Sequence, residues 1–235
     1  MKKHLLVSAL ALSMAAPFAS AAGFSDNFNA GLSGWTLLGD VAAGNGVVAL
    51  TSASATYEDD IGLTLNLSGN DPLEAGLPGG LEQSLGLAFG ALDGGILSQA
   101  TEGSALLRSV QVSAGDRLSF DWMLSTMDTA GAGFGLDYAF VVIGGQRFDL
   151  GTAAQADVPG APYAMQTGWS RFDYVFTTGG TVSLGIGVVD VFDYTASTQL
   201  QLDNFSITAV PEPEAHALML AGLGLVGAVA RRRRA

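Results

Sequence analysis

The sequence predicts an all-β chain, an antiparallel jelly-roll-like β-sandwich, flanked by an N-terminal signal peptide helix and a C-terminal transmembrane helix. Three observations carry this. Apolar residues alternate with period two through the middle of the chain, glycine-rich and polar clusters separate the alternating runs, and both ends are apolar stretches bounded by basic residues. The boundaries fall at 1–22, 23–209 and 210–235.

The N-terminal element reads as an export signal. Lys2 and Lys3 precede an apolar run from Leu5 to Met14, and Ala19-Ser20-Ala21 forms a small-x-small cleavage site. The run is too short to span a bilayer, which argues against an uncleaved anchor.

The strands of the body follow from its alternation. Leu118, Phe120, Trp122 and Leu124 occupy every second position, as do Phe134, Leu136, Tyr138, Phe140 and Val142. Phe172, Tyr174 and Phe176, and then Val182, Leu184, Ile186 and Val188, repeat the pattern. Each set predicts a half-buried strand with the named residues facing inward. Further strands are expected at 24–28, 35–38, 46–51, 61–67, 84–90, 104–113, 146–150 and 198–208. Many short strands without a long helical pattern indicate a sandwich. Between Asn70 and Gly103 the alternation breaks down, and long loops around one strand are expected, with a short helical turn near 95–100. In the last strand the inward positions change phase between Leu202 and Phe205, which calls for an inserted residue near Asp203-Asn204. Asp203 is then either re-aimed by a β-bulge or left facing solvent.

Charge divides the same way. The formal net charge is -12, but the body holds 20 acids against Arg108, Arg117, Arg147 and Arg171, so -16, and contains no Lys, His or Cys. That composition excludes Ser-His-Asp and Cys-His catalysis, ordinary zinc and iron sites, Schiff bases and P-loops. Nucleic acid is excluded as a partner by the same charge balance. The remaining chemistry is oxygen ligation of calcium, carbohydrate contact, or a carboxylate-pair glycosidase. No cofactor is required, and a structural calcium is the ion these groups suit. Asp190 and Asp193 close together, with Asp203, are the acids best spaced for it, and a solvated acidic surface is the competing explanation. Glu58-Asp59-Asp60 is a further tight acidic group. Among the tryptophans, Trp122 falls in phase with core positions, and Trp35, which follows a glycine turn, is also expected in the core. Trp169 is the one placed for exposure, where sugar stacking and ordinary packing both stay open.

At the C-terminus, Val210-Pro211-Glu212-Pro213 is followed by an apolar stretch from Ala215 to Ala230 and then by Arg231, Arg232, Arg233 and Arg234. As a helix the stretch covers about 24 Å, against a hydrocarbon core of about 30 Å, with flanking residues able to snorkel across the difference. The arginines should stay cytoplasmic, leaving the acidic body outside the inner membrane. Gly222-Leu223-Gly224-Leu225-Val226-Gly227 fits a dinucleotide-binding glycine pattern but lies inside the apolar stretch, without the strand and acid such a site needs.

This three-part end resembles the PEP-CTERM sorting signal of Gram-negative bacteria. The resemblance implies recognition by an exosortase, a transient C-terminal anchor in the inner membrane, removal of the tail, and delivery to the cell surface or extracellular matrix. It also implies an association with exopolysaccharide and biofilm. The body more weakly resembles secreted bacterial jelly rolls of the carbohydrate-binding kind, through Phe28-Asn29-Ala30-Gly31-Leu32-Ser33-Gly34-Trp35 as opening turn and Leu202-Asp203-Asn204-Phe205-Ser206-Ile207 as closing strand. In that group the first and last strands are neighbours and commonly hold a calcium. The resemblance therefore adds Asp26 and Asn29 to Asp190, Asp193 and Asp203 as candidate ligands, with Asn29 standing where the group often has Glu. The expected role is structural or adhesive and non-catalytic, with a carbohydrate-binding module as the first alternative and a glycoside hydrolase as the second.

Overall fold

The computed structural model describes residues 23–56, 62–95, 98–128, 135–209 and 213–232. The expected signal peptide lies outside them, as do Glu58-Asp59-Asp60, Val210, Pro211, Glu212, Arg233 and Arg234.

The body is a β-sandwich of two antiparallel sheets. The first contains β1 (Phe24–Asp26), β3 (Asp40–Gly44), β4 (Val47–Thr51), β7 (Arg117–Thr126), β10 (Val158–Pro159), β11 (Met165–Gln166), β12 (Ser170–Val175) and β14 (Thr198–Thr208). The second contains β2 (Thr36–Leu38), β5 (Leu73–Glu74), β6 (Ala100–Val112), β8 (Tyr138–Ile143), β9 (Gln146–Thr152) and β13 (Gly180–Val191). The order in the first sheet is β10-β11-β7-β14-β4-β3, with β1 added to β14 and β12 to β7; in the second it is β2-β6-β13-β8-β9, with β5 added to β6. First and last strands are neighbours, Phe24 lying opposite Ile207 and Asp26 opposite Phe205.

The main core lies between the sheets. Phe120, Trp122, Leu124, Leu202 and Phe205 of the first face Leu106, Val141, Leu184 and Ile186 of the second. Burying each such side chain contributes about 1.5–3 kcal/mol. A polar link crosses the layers: Ser104 Oγ on β6 donates to the carbonyl of Thr51 and accepts the N–H of Asp40. The phase slip in β14 is a β-bulge between Asp203 and Ser206, with Asn204 at φ +52°. It keeps Leu200 and Leu202 buried together with Phe205 and Ile207, while Asp203 stays partly exposed and accepts the Asn204 N–H at 2.6 Å.

Four expectations need correction. All six residues of β8 are buried, and Tyr138, Phe140 and Val142 face away from the main core, which receives Ala139, Val141 and Ile143 instead. The outward set is buried because residues 75–92 fold over the outer face of the second sheet and form a second core with it. The expected strand at 84–90 is part of that cover: α1 (Leu81–Ser84) and turns. The short helix therefore lies at α1 rather than near 95–100. Residues 62–67 form no strand; Asp40, fully buried, draws them into a loop by accepting the N–H groups of Leu67 and Ser68 and the Ser68 hydroxyl.

Glycine in β13 makes the cover fit. A Cβ on Gly185 would lie 2.5 Å from Leu85 Cδ2, and one on Gly187 would lie 2.7 Å from the Phe140 ring.

At the C-terminus the expected helix forms as α2 (Pro213–Arg232), with Met219, Leu220, Leu223, Leu225 and Val226 exposed. Among the described residues no helix is long and apolar enough to cross a membrane. The apolar run from Ala215 to Ala230 contains His216 and is diluted by Gly222, Gly224 and Gly227.

Replacing Gly185 by Val should force Leu85 out of register and lower the stability of the body by about 1–3 kcal/mol, read as a lower melting temperature. An equal melting temperature for the variant would mean that the cover does not press on β13.

Candidate functional site

Many acids of the body hold loops in place. Glu82 on α1 is buried, and its two oxygens accept the N–H groups of Gly90 at 2.8 Å and Leu92 at 2.7 Å. Asp26 accepts the Phe28 N–H and the Trp35 indole N–H, and Asp116 accepts the Ser113 N–H. Asp71 gathers the N–H and hydroxyl of Thr56 with the Ser54 hydroxyl and the Ala55 N–H, and these bonds lower its carboxyl below the usual range.

One acidic group is different. Asp137 and Asp190 are 2% and 1% exposed, at adjoining ends of β8 and β13. Asp137 is supported: it accepts the Val191 N–H at 2.9 Å and the Thr198 hydroxyl at 2.6 Å. Both carboxylate oxygens of Asp190 are buried without a donor. Burial pushes the Asp190 carboxyl up to about 11, reinforced by Asp137, Asp193, Glu102 and Asp128. Burial raises Asp137 as well, against the opposing bond from Thr198. Asp190, lacking donors, is therefore the member that holds a proton at neutral pH.

The structure brings Asp190 and Asp193 together and leaves the other candidate ligands elsewhere. Asp193 caps its own turn by accepting the N–H and hydroxyl of Thr195. Asp203 lies opposite Asp121, five residues along β14 from Thr198, which touches Asp137. That is about 16 Å at the rise of a strand. Asp26 is engaged with Trp35, and Asn29 packs against Gly46 at the turn between β3 and β4. Among the described residues no group of three or more His, Cys, Asp or Glu side chains is arranged to hold a metal ion. Trp35 and Trp122 are core residues, and Trp169 is 50% exposed beside β12.

Beside the carboxylate cluster runs a groove that sequence reasoning missed. One part has a volume of about 480 Å3 and is walled by Leu77, Pro78, Leu87 and Phe89. It continues past Phe89 into a space of about 280 Å3 bordered by Glu74, Asp93, Gln99, Thr101 and Tyr194. Phe89 is 85% exposed. Its loop is nevertheless held by Glu82 through Gly90 and Leu92, and its ring edge lies against Gly76, where a Cβ would come within 2.9 Å. Tyr194 donates to Glu74 at 3.1 Å. It is carried by a strained turn in which Phe192 has φ +81° and Ala196 φ +65°. The Thr101 hydroxyl donates to the carbonyls of Asp190 and Asp193 and so joins the groove to the cluster beneath. The only sequence signal for this site was negative: the stretch from Asn70 to Gly103 lacked alternation.

The four arginines of the body are all engaged. Arg117 pairs with Asp173, Arg171 with Asp121 and Asp173, and Arg147 with Asp149. Arg147 also donates to the Ala91 carbonyl and the Tyr138 hydroxyl beneath the cover. Arg108 lies 4.0 Å over the Phe24 ring.

Because Asp190 has a raised folded pKa, the unfolded chain ionises it first as pH rises, and stability is lost above its ordinary value of about 3.9, at up to about 1.4 kcal/mol per pH unit. Asp190→Asn should therefore raise the melting temperature at pH 8 in chelator and change it little at pH 4. A variant destabilised at pH 8 in chelator would contradict a proton-bearing Asp190.

Several solved structures are similar to the chain. A CBM4 structure is 11% identical, covers 78% of this chain and 99% of its own, and has a TM-score of 0.37. The K3 cleaved adhesin domain of Lys-gingipain from Porphyromonas gingivalis is 12% identical, with coverage of 79% and 98% and a TM-score of 0.43. TmCBM61 in complex with β-1,4-galactotriose is 12% identical, with coverage of 78% and 94% and a TM-score of 0.36. No curated protein matches the chain. Residues 209–234 match the PEP-CTERM protein-sorting motif.

Proposed function

We propose that this chain is an exported, exosortase-sorted protein of the cell surface or extracellular matrix, whose jelly-roll-like body has a structural or adhesive role in exopolysaccharide and biofilm. The observation that carries the proposal is the sorting motif at residues 209–234. Lys2, Lys3 and the apolar run after them export the chain. The C-terminal segment anchors it transiently in the inner membrane, with Arg231–Arg234 on the cytoplasmic side. The exosortase then cuts near Val210-Pro211-Glu212-Pro213 and releases the body.

The body works without catalysis and needs no cofactor. A glycoside hydrolase requires one carboxylic acid to give a proton and a facing carboxylate to act as base or nucleophile. In the groove, Glu82 accepts two backbone N–H groups, Asp93 accepts that of Ala100, and Glu74 accepts the Tyr194 hydroxyl. These bonds fix the carboxylates in place and support binding over bond cleavage. A carbohydrate-binding module is the second reading, favoured by the exposed and rigidly held Phe89 in the groove.

Mass spectrometry of the protein from surface material should find a C-terminus upstream of Arg231–Arg234. Recovery of the intact arginine run from that fraction would overturn the sorting proposal.

A further inference from the structure

We infer that the groove between Phe89 and Tyr194 binds a glycan bearing free amino groups, an amino-sugar polymer that is cationic at neutral pH. This rests on the carbohydrate-binding reading above and names the class of its ligand. Three observations converge on it.

The first is a preorganised aromatic face. Phe89 at 85% exposure gains little from burial, so packing does not account for its place. Its backbone is held by Glu82, whose carbonyl accepts the Leu87 N–H before it and whose carboxylate accepts the Gly90 N–H after it, both at 2.8 Å, and its ring edge rests on Gly76. A flat apolar surface held in one orientation suits the face of a sugar ring, because no side-chain freedom is lost on binding.

The second is the charge of the walls. Glu74 and Asp93 each keep one carboxylate oxygen without a hydrogen bond among the described residues. Burial first, and then Glu74 and Glu102, raise the pKa of Tyr194, and these two carboxylates place the groove mouth in a negative field. Arg147 donates to the Ala91 carbonyl of the cover and is paired with Asp149. Such a groove repels uronic-acid or sulfated polymers and attracts ammonium groups, which can also sit over the faces of Phe89 and Tyr194.

The third is the set of neutral polar groups. Gln99 and Thr101 stand along the same wall and suit hydroxyl groups of a sugar. The combined space is of the size that ligand sites occupy, about 300–1,000 Å3. A simple cation would use the carboxylates but leave Phe89 without a role.

Isothermal titration of the full-length protein with glucosamine oligomers, N-acetylglucosamine oligomers and galacturonate oligomers tests the inference. Glucosamine oligomers should bind, the N-acetylated series about tenfold more weakly, and galacturonate not at all. Added salt should weaken the interaction. Phe89→Ala, at an exposed position, should keep the wild-type melting temperature and lose about tenfold in affinity. The double variant Glu74→Gln, Asp93→Asn, which keeps the acceptors, should lose the preference for amino over N-acetyl sugars. Equal binding of both glucosamine series would overturn the amino-sugar assignment while leaving glycan binding intact. Unchanged affinity in Phe89→Ala would overturn the groove. Absence of binding to all three series would overturn the inference, and mass spectrometry decides the sorting proposal independently.

Discussion

The carboxylate of Glu82 holds the part of this fold on which the rest depends. The second sheet is apolar on both faces, since β8 carries Tyr138, Phe140 and Val142 outward and Ala139, Val141 and Ile143 inward. A single facing sheet covers only one of them. The other is covered by residues 75–92, a segment too short and irregular to pack by itself. Two charge-assisted bonds from Glu82 to Gly90 and Leu92 give it a defined shape, worth about 1.5–3 kcal/mol each. That shape delivers Leu81, Leu85 and Leu92 to the outer face, and Gly185 leaves space for Leu85. The same two bonds fix the chain directly after Phe89, so the clamp that closes the second core also presents the aromatic ring of the groove.

A body with twenty acids and four bases does not compensate charge by ion pairing. It uses backbone N–H groups and hydroxyls as counter-dipoles. Asp26, Asp40, Asp71, Glu82, Asp116 and Asp137 each receive such donors, which offsets part of the cost of desolvation and ties down long loops in a chain without disulfides. Asp190 departs from this rule, and burial without donors leaves its carboxyl neutral. The neutral acid sits beneath a groove whose rim carries Glu74 and Asp93.

Legibility in the sequence followed the range of the interactions. Alternation is a local property, and it located β7, β12, β13 and β14 as well as the bulge at Asp203-Asn204. Strands too short to show a period, such as β10 and β11, escaped it, as did β3, whose Val41 is flanked by small residues. Of the site, Asp190 and Asp193 stood out as acids close in sequence. Asp137, 53 residues before Asp190, is brought to it by the pairing of β8 with β13. Phe89 and Glu82 gave no signal, because an exposed aromatic and a buried carboxylate exchange the usual places of their residue types.

The sequence by itself determined the division into two basic, apolar ends and an acidic, strand-rich body, because charge and alternation are written residue by residue. It also determined the sorting motif, which is read along the chain. Tertiary structure decided which face of β8 points to which core, since a strand apolar on both sides has no preferred face until a cover arrives from elsewhere in the chain. It likewise decided that Asp190 is held neutral, because a carboxylate's charge depends on the donors and burial it meets in space. Composition lists the carboxylates; only the packing of residues 75–92 against the second sheet sets their roles.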